Sequence, residues 1–230
     1  MTFVAAAAAH QLLRHLLPSF ARPSDRQPLV RPDAHLAFHP DALLLLNAFL
    51  DYLLYTILDT ARSTALDRLR PAVTAVLRHR IARDAIANAD QELSDLSDDD
   101  PREDDDDDDD NTDEDFDLQR VWQRARIRVM IYIRLGDLDD DPHPRADKNI
   151  PWSTAIFLTS VVEYVAEQTL HAAADAAYAR LRRQNRTVSS PPPAAHLSVD
   201  EADVEKIALD PALGRLWRTW RKSVRDLARA

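Results

Sequence analysis

The sequence has no cysteine and only two glycines among its 230 residues. The lack of cysteine excludes disulfides and cysteine-liganded zinc, and it fits a reducing intracellular compartment. Two glycines are too few for a glycine-rich phosphate-binding loop or for a sheet with many tight turns. No apolar run approaches the roughly 18–20 residues of a membrane span, so we expect no membrane partner.

What the sequence does contain favours helices. Alanine, leucine and arginine dominate, and all three are good helix formers. The chain is long enough for one large domain or two small ones. The composition therefore predicts an all-α fold.

No pattern of side chains predicts catalysis. The eight histidines form no convincing metal-ligand spacing, and no Ser/His/Asp arrangement can be assembled. We therefore expect a protein that is not an enzyme and that has no cofactor and no metal.

The net charge of −10 is concentrated in one stretch. Residues 92–117 contain 17 acidic side chains and a single basic one, which leaves 22 acidic and 28 basic residues in the rest of the chain. Repulsion among these carboxylates and the lack of apolar side chains predict that residues 94–116 form a disordered acidic linker.

Two segments of the chain repeat each other. Residues 45–61 and 157–173 align at a constant offset of 112 positions. A repeat of this kind indicates two similar long helices in one chain. The matched pairs are Leu46 with Leu158, Asp51 with Glu163, Tyr52 with Tyr164, Leu58 with Leu170, and Ala61 with Ala173.

Helix signals flank the first copy of the repeat. A helix is expected to end at Pro18, and residues 21–40 read as a loop because they contain four prolines. Pro40 then opens a long helix that runs to about residue 65. A shorter helix follows and becomes polar near Leu93.

The second copy has the same order of elements. A helix over 118–135 is expected to stop at Gly136, and the long helix runs from Pro151 to about Arg183. Residues 184–196 read as a loop. A capping box of Ser198 and Glu201 starts a short helix, and the last helix spans 211–227.

The second long helix resembles the central helix of the core histones, nearest to the 2A type. The basic segment and the short strand-like LSVD that follow keep the histone order, and the likeness covers roughly 118–220. The first half, about 5–93, resembles a more diverged copy. The residues in register are Ala155, Leu158, Val161, Glu163, Tyr164, Leu170, Ala173, Ala176 and Ala177.

The resemblance implies two histone folds in one chain, paired head to tail as an intramolecular pseudo-dimer. It places the first fold in 1–93, the acidic linker in 94–116, and the second fold with a C-terminal helix in 117–230. Each half pairing with a separate histone-fold protein remains an alternative. The expected interface residues are Leu46, Phe49, Leu50, Leu53, Ile57, Leu158, Val161, Val162, Val165 and Leu170.

The resemblance also implies binding sites. In histone folds the loops at both ends of the long helix contact DNA phosphates, and acidic residues on the long helix dock partner proteins. Glu163 matches one of these acids. Where the pattern has a second glutamate this chain has Gln168, and Glu167, one position away, is the other partner-binding candidate. The matching DNA-binding candidates are Arg62, Arg68, Arg145, Lys148, Arg180, Arg182, Arg183, Arg186 and Thr187.

These expectations favour a nuclear, non-catalytic subunit of a chromatin or transcription complex, whose partners are other histone-fold or chromatin proteins and double-stranded DNA. One alternative is a histone chaperone that binds core histones through its acidic segment. Another is an unrelated mitochondrial helical scaffold, because the arginine-containing N-terminus also fits a transit peptide.

Overall fold

A computed structural model describes residues 2–20, 29–99, 116–136, 150–185 and 194–229. These residues are mostly helical, as the composition predicts. The described part also contains two strands and one 3-10 helix, Glu205–Leu209. Its helices are α1 (Ala6–Phe20), α2 (Pro40–Ala61), α3 (Leu66–Val76), α4 (His79–Asp99), α5 (Leu118–Tyr132), α6 (Trp152–Asn185), α7 (Glu201–Val204) and α8 (Gly214–Leu227), and its strands are β1 (Val30–Phe38) and β2 (Ala194–Val199).

The chain packs into two compact units that do not follow chain order. The first unit comprises Leu50–Val165, and the second comprises Thr2–Phe49 together with Ala166–Ala230. Both unit boundaries fall inside a long helix, one in α2 and one in α6. Each unit is therefore built from part of the first half of the sequence and part of the second.

The second unit contains the only sheet of the described residues. Strands β1 and β2 pair in parallel, with Leu36 opposite Leu197 and Phe38 opposite Val199. These four side chains are all buried, so the sheet presents one apolar face to the core of the unit.

The N-terminal segment is held in the same unit by the side chain of Asn47. Its amide oxygen accepts a hydrogen bond from the backbone N–H of Val4 at 2.9 Å, and its amide nitrogen donates to the Val4 carbonyl at 3.1 Å. Because both backbone groups of Val4 are satisfied, Phe3 and Val4 can be fully buried ahead of α1.

The first unit packs α3, α4 and α5 with the second half of α2 and the first half of α6. The Arg70 guanidinium reaches Asp90 of α4 at 2.8 Å and also lies over the ring of Phe157 at 5.6 Å. Tyr55 meets Trp122 of α5 edge to face, with 6.0 Å between ring centroids. Aromatic and ionic contacts thus link α2 to α5 and α3 to both α4 and α6.

The prediction of a loop over 21–40 is wrong for residues 30–38, which form β1. A register irregularity lies between Val30 and His35 and includes the position of Pro32. Proline has no N–H to donate, so it fits an irregular part of an edge strand rather than a regular ladder. The strand forms because β2, distant in sequence, supplies its partner.

Several predicted helix ends are also displaced. Gly136 does not end α5, which stops at Tyr132 because Ile133 is already extended. The capping box uses Asp200 and Asp203 in place of Ser198 and Glu201. The short helix expected after α2 is two helices, α3 and α4.

The predicted disordered linker begins too early. Helix α4 continues to Asp99, so residues 94–99 of the predicted linker are helical, and its residues 100–115 lie outside the described residues. The buried side chains of Ala85 and Ala89 anchor this helix. A packed helix can extend into polar sequence, because adding a residue to an existing helix costs far less than nucleating one.

By length and composition alone, helix α2 is long and apolar enough to cross a membrane. This differs from the sequence-based prediction, which found no apolar run long enough for a membrane span. In the structure α2 is a core helix. Seven of its large apolar side chains have no exposed surface, namely Leu46, Phe49, Leu50, Leu53, Leu54, Ile57 and Leu58.

Candidate nucleic-acid and partner interface

The apolar residues predicted to form an interface are all in the core. Five of them come from α2 and five from α6, and each has 0% exposed surface. Burial of this extent on both long helices requires packing partners around most of their circumference. The residues are Leu46, Phe49, Leu50, Leu53, Ile57, Leu158, Val161, Val162, Val165 and Leu170.

In the second unit, the segment before α2 is joined to the strand that follows α6. Strand β1 leads into α2, and β2 is the next described element after α6. Beyond the strand ladder, the N–H of His39 donates to the Val199 carbonyl at 2.9 Å. The residue that precedes α2 is thus hydrogen-bonded to the strand that follows α6.

In the first unit, the roles of the two long helices are reversed. The hydroxyl of Thr154, in the first turn of α6, donates to the carbonyl of Thr64 at 2.7 Å. Thr64 lies just after α2 ends at Ala61. Thr154 is 1% exposed, so this hydrogen bond joins the two segments inside the unit.

Arg180, predicted to bind DNA, forms an ion pair within the second unit. Its Nε and Nη2 donate to the two carboxylate oxygens of Asp203 at 3.0 and 2.7 Å, and Nη2 also donates to the Ser198 carbonyl at 2.7 Å. The hydrogen bond to Asp203 raises the pKa of Arg180. This forked contact ties α6 to β2 and α7.

The other predicted cations of the described residues are divided between the two units. Arg182 and Arg183 lie in the last turn of α6, in the second unit, where Arg183 is exposed. Arg62 and Arg68 are exposed in the first unit, and Arg62 approaches Asp59 at 3.5 Å. The remaining candidates lie outside the described residues, namely Arg145, Lys148, Arg186 and Thr187.

Glu163, predicted to bind a partner, has a partner within the first unit. Its Oε1 accepts a hydrogen bond from the backbone N–H of Arg134 at 3.1 Å. Glu167, the other predicted acid, is exposed one turn further along α6. An intramolecular role therefore accounts for Glu163 without an external partner.

Asp51, the repeat counterpart of Glu163, is also bound within the first unit. It accepts a hydrogen bond from Arg126 Nε of α5 at 3.0 Å. Burial raises the pKa of the Asp51 carboxyl, and the charge of Arg126 partly opposes this rise. The matched acids of the two long helices thus bind α5 and the segment that follows it.

Sequence reasoning missed a basic surface on α8. One side of this helix is buried through Trp217 and Trp220, whose rings lie 4.8 and 5.6 Å from the ring of Phe49. The α8 basic face consists of four exposed side chains, Arg215, Arg218, Lys222 and Arg225. Their spacing of three, four and three residues was readable from the sequence as one helical stripe.

Among the described residues, no group of three or more His, Asp or Glu side chains could hold a metal ion. No protein-family model matches the chain, and a search of curated proteins gives no match.

Proposed function

We propose that this chain is a non-catalytic tandem histone-fold protein whose two halves pair with each other, and that it serves as a nuclear subunit of a chromatin or transcription complex. Its role would be to hold partner proteins, with DNA contact through cations beside the long helices. The proposal depends on the repeat and on its resemblance to the core histones.

The observation that supports it best is the reciprocal connection at the helix ends. The segment before α2 is hydrogen-bonded to β2, which follows α6, and the segment after α2 is hydrogen-bonded to Thr154 at the start of α6. In each unit, the start of one long helix is thus joined to the region that follows the other long helix. A head-to-tail pair of similar folds requires this arrangement. A chain carrying both copies supplies its own partner, and a long connecting segment adds little closure entropy.

A histone chaperone is the second candidate, and the 17 carboxylates of residues 92–117 favour it. A segment of this charge attracts basic histones by an ionic mechanism that salt screens. The two candidates differ in whether these carboxylates are needed for the protein's associations.

Replacing all seven aspartates of 104–110 with asparagine separates the two candidates. As a complex subunit, the tagged variant is expected to copurify with the same chromatin proteins, in unchanged ratios, as the unmodified chain. As a chaperone, it is expected to bind purified core histones at least tenfold more weakly.

A variant with asparagine at Asp139, Asp140 and Asp141 controls for a general loss of negative charge. Loss of the chromatin proteins only in the 104–110 variant would contradict the subunit proposal. Import of the chain into mitochondria, with removal of its N-terminal residues, would contradict both candidates.

A further inference from the structure

We propose that the α8 basic face is a binding surface for the phosphate backbone of double-stranded nucleic acid. The face is defined by Arg215, Arg218, Lys222 and Arg225, and it is separate from the loop cations considered above. The inference rests on α8 itself and holds whether or not the two halves are histone folds.

The charges of the α8 basic face are not neutralised within the described residues. None of the four side chains has a carboxylate within ion-pair distance in that part of the chain. Arg218 donates to the Ala208 carbonyl and Arg225 to the Arg221 carbonyl, so both form hydrogen bonds but keep their net charge.

Arg221, on the same helix, differs from these four cations because it has a carboxylate partner. It lies off the basic face and pairs with Glu205 at 2.7 Å. Glu205 also accepts a hydrogen bond from the indole N–H of Trp217 at 3.1 Å. The cation that points toward the protein is thus compensated, whereas the four cations of the basic face are not.

Without a ligand, this pattern is unfavourable to the helix. The four cations form three like-charged pairs at spacings of three or four residues, and each such pair destabilises an isolated helix. The buried side of α8 offsets this cost, since Leu216, Trp217 and Trp220 are all buried. The same burial determines which side of α8 remains exposed.

The geometry of the face suits a duplex backbone. At about 1.5 Å of rise per residue, the ten steps along the helix from Arg215 to Arg225 span roughly 15 Å. Each strand of DNA presents one phosphate per about 3.4 Å of helix axis, so this length faces about four phosphates. Three of the four cations are arginine, whose planar fork binds phosphate oxygens in pairs.

The test uses the full-length chain and a 20-base-pair duplex of random sequence, with fluorescence anisotropy measured from 50 to 300 mM salt. The variant replaces Arg215, Arg218, Lys222 and Arg225 with glutamine. We expect it to bind about 10²–10³-fold more weakly at 0.1 M salt. The slope of log K against log salt should fall in magnitude by about 3–4.

The matched control replaces four exposed arginines elsewhere, Arg14, Arg78, Arg80 and Arg83, with glutamine and so removes the same charge. It should keep the slope of the unmodified chain. Circular dichroism of all three proteins, with superimposable helical spectra and melting curves, verifies that binding differences are not due to unfolding.

Three results would overturn the proposal. One is no duplex binding by the unmodified chain at 50 mM salt, and another is an equal loss in the control variant. The third is equally tight binding of polyglutamate of matched charge, since that would assign the face to acidic protein segments. Retained duplex binding in the 104–110 asparagine variant, with loss only in the α8 variant, would leave this inference standing even if the subunit proposal failed.

Discussion

Replacing Phe49 with alanine is expected to lower the free energy of unfolding by about 3–5 kcal/mol. Phe49 has no exposed surface, and its ring packs against both tryptophans of α8. The variant loses the burial of a large ring and leaves a cavity that the rigid indoles of Trp217 and Trp220 cannot close. A loss of this size is a large part of the stability of an ordinary domain.

Chemical unfolding followed by circular dichroism measures this loss. Leu44 provides the matched control, because it lies on the same helix but is 71% exposed. Leu44→Ala is expected to change the free energy of unfolding by no more than about 0.5 kcal/mol. Similar losses for the two variants would mean that α8 is not packed on α2 as described.

The second large effect is expected at Arg180. Arg180→Ala leaves the carboxylate of Asp203, a residue only 3% exposed, without its cation. We expect the free energy of unfolding to fall by about 2–3 kcal/mol, below the cost for a fully buried pair because the Arg180 side chain is 35% exposed. Arg180→Lys should recover only part of this loss, because an ammonium group cannot contact both carboxylate oxygens and the Ser198 carbonyl in the same way.

Arg183 is the control for Arg180, since it lies three residues later on α6 and is exposed. Arg183→Ala is expected to leave the unfolding midpoint almost unchanged. If Arg180→Ala instead weakened duplex binding and left stability intact, Arg180 would be a phosphate ligand and its interpretation as an internal ion pair would be wrong.

Local patterns were sufficient to predict the long helices and their buried residues. Leucine and valine at helical spacing on α2 and α6 require burial, and the repeat showed that two such helices are present. Leu44 marks the limit of this reasoning. It fits the apolar pattern of α2, yet a helix that is apolar on most sides does not reveal which side is left uncovered.

Contacts between distant segments could not be predicted in this way. Strand β1 depends on β2, more than 150 positions later, and four nearby prolines obscured it. Arg180 looked like one more cation of a basic helix end, because nothing local indicates that Asp203 folds back onto it. The α8 basic face was visible in the sequence, but only the burial of Trp217 and Trp220 shows which side of α8 remains exposed.

The central claim is that the two halves of the chain pair with each other, and an engineered disulfide tests it most directly. His35 of β1 and His196 of β2 are paired across the strands, and both are exposed. Neighbouring strands lie about 4.7–4.9 Å apart, within the separation that a disulfide spans. The chain has no cysteine of its own, so the variant with cysteine at both positions has only these two thiols.

After mild oxidation, the double variant is expected to run on a non-reducing gel as a compact monomer whose mobility returns to normal on reduction. Each single-cysteine variant should show no such shift. Disulfide-linked dimers of the double variant in place of the compact monomer, or two thiols that stay free, would contradict pairing within one chain.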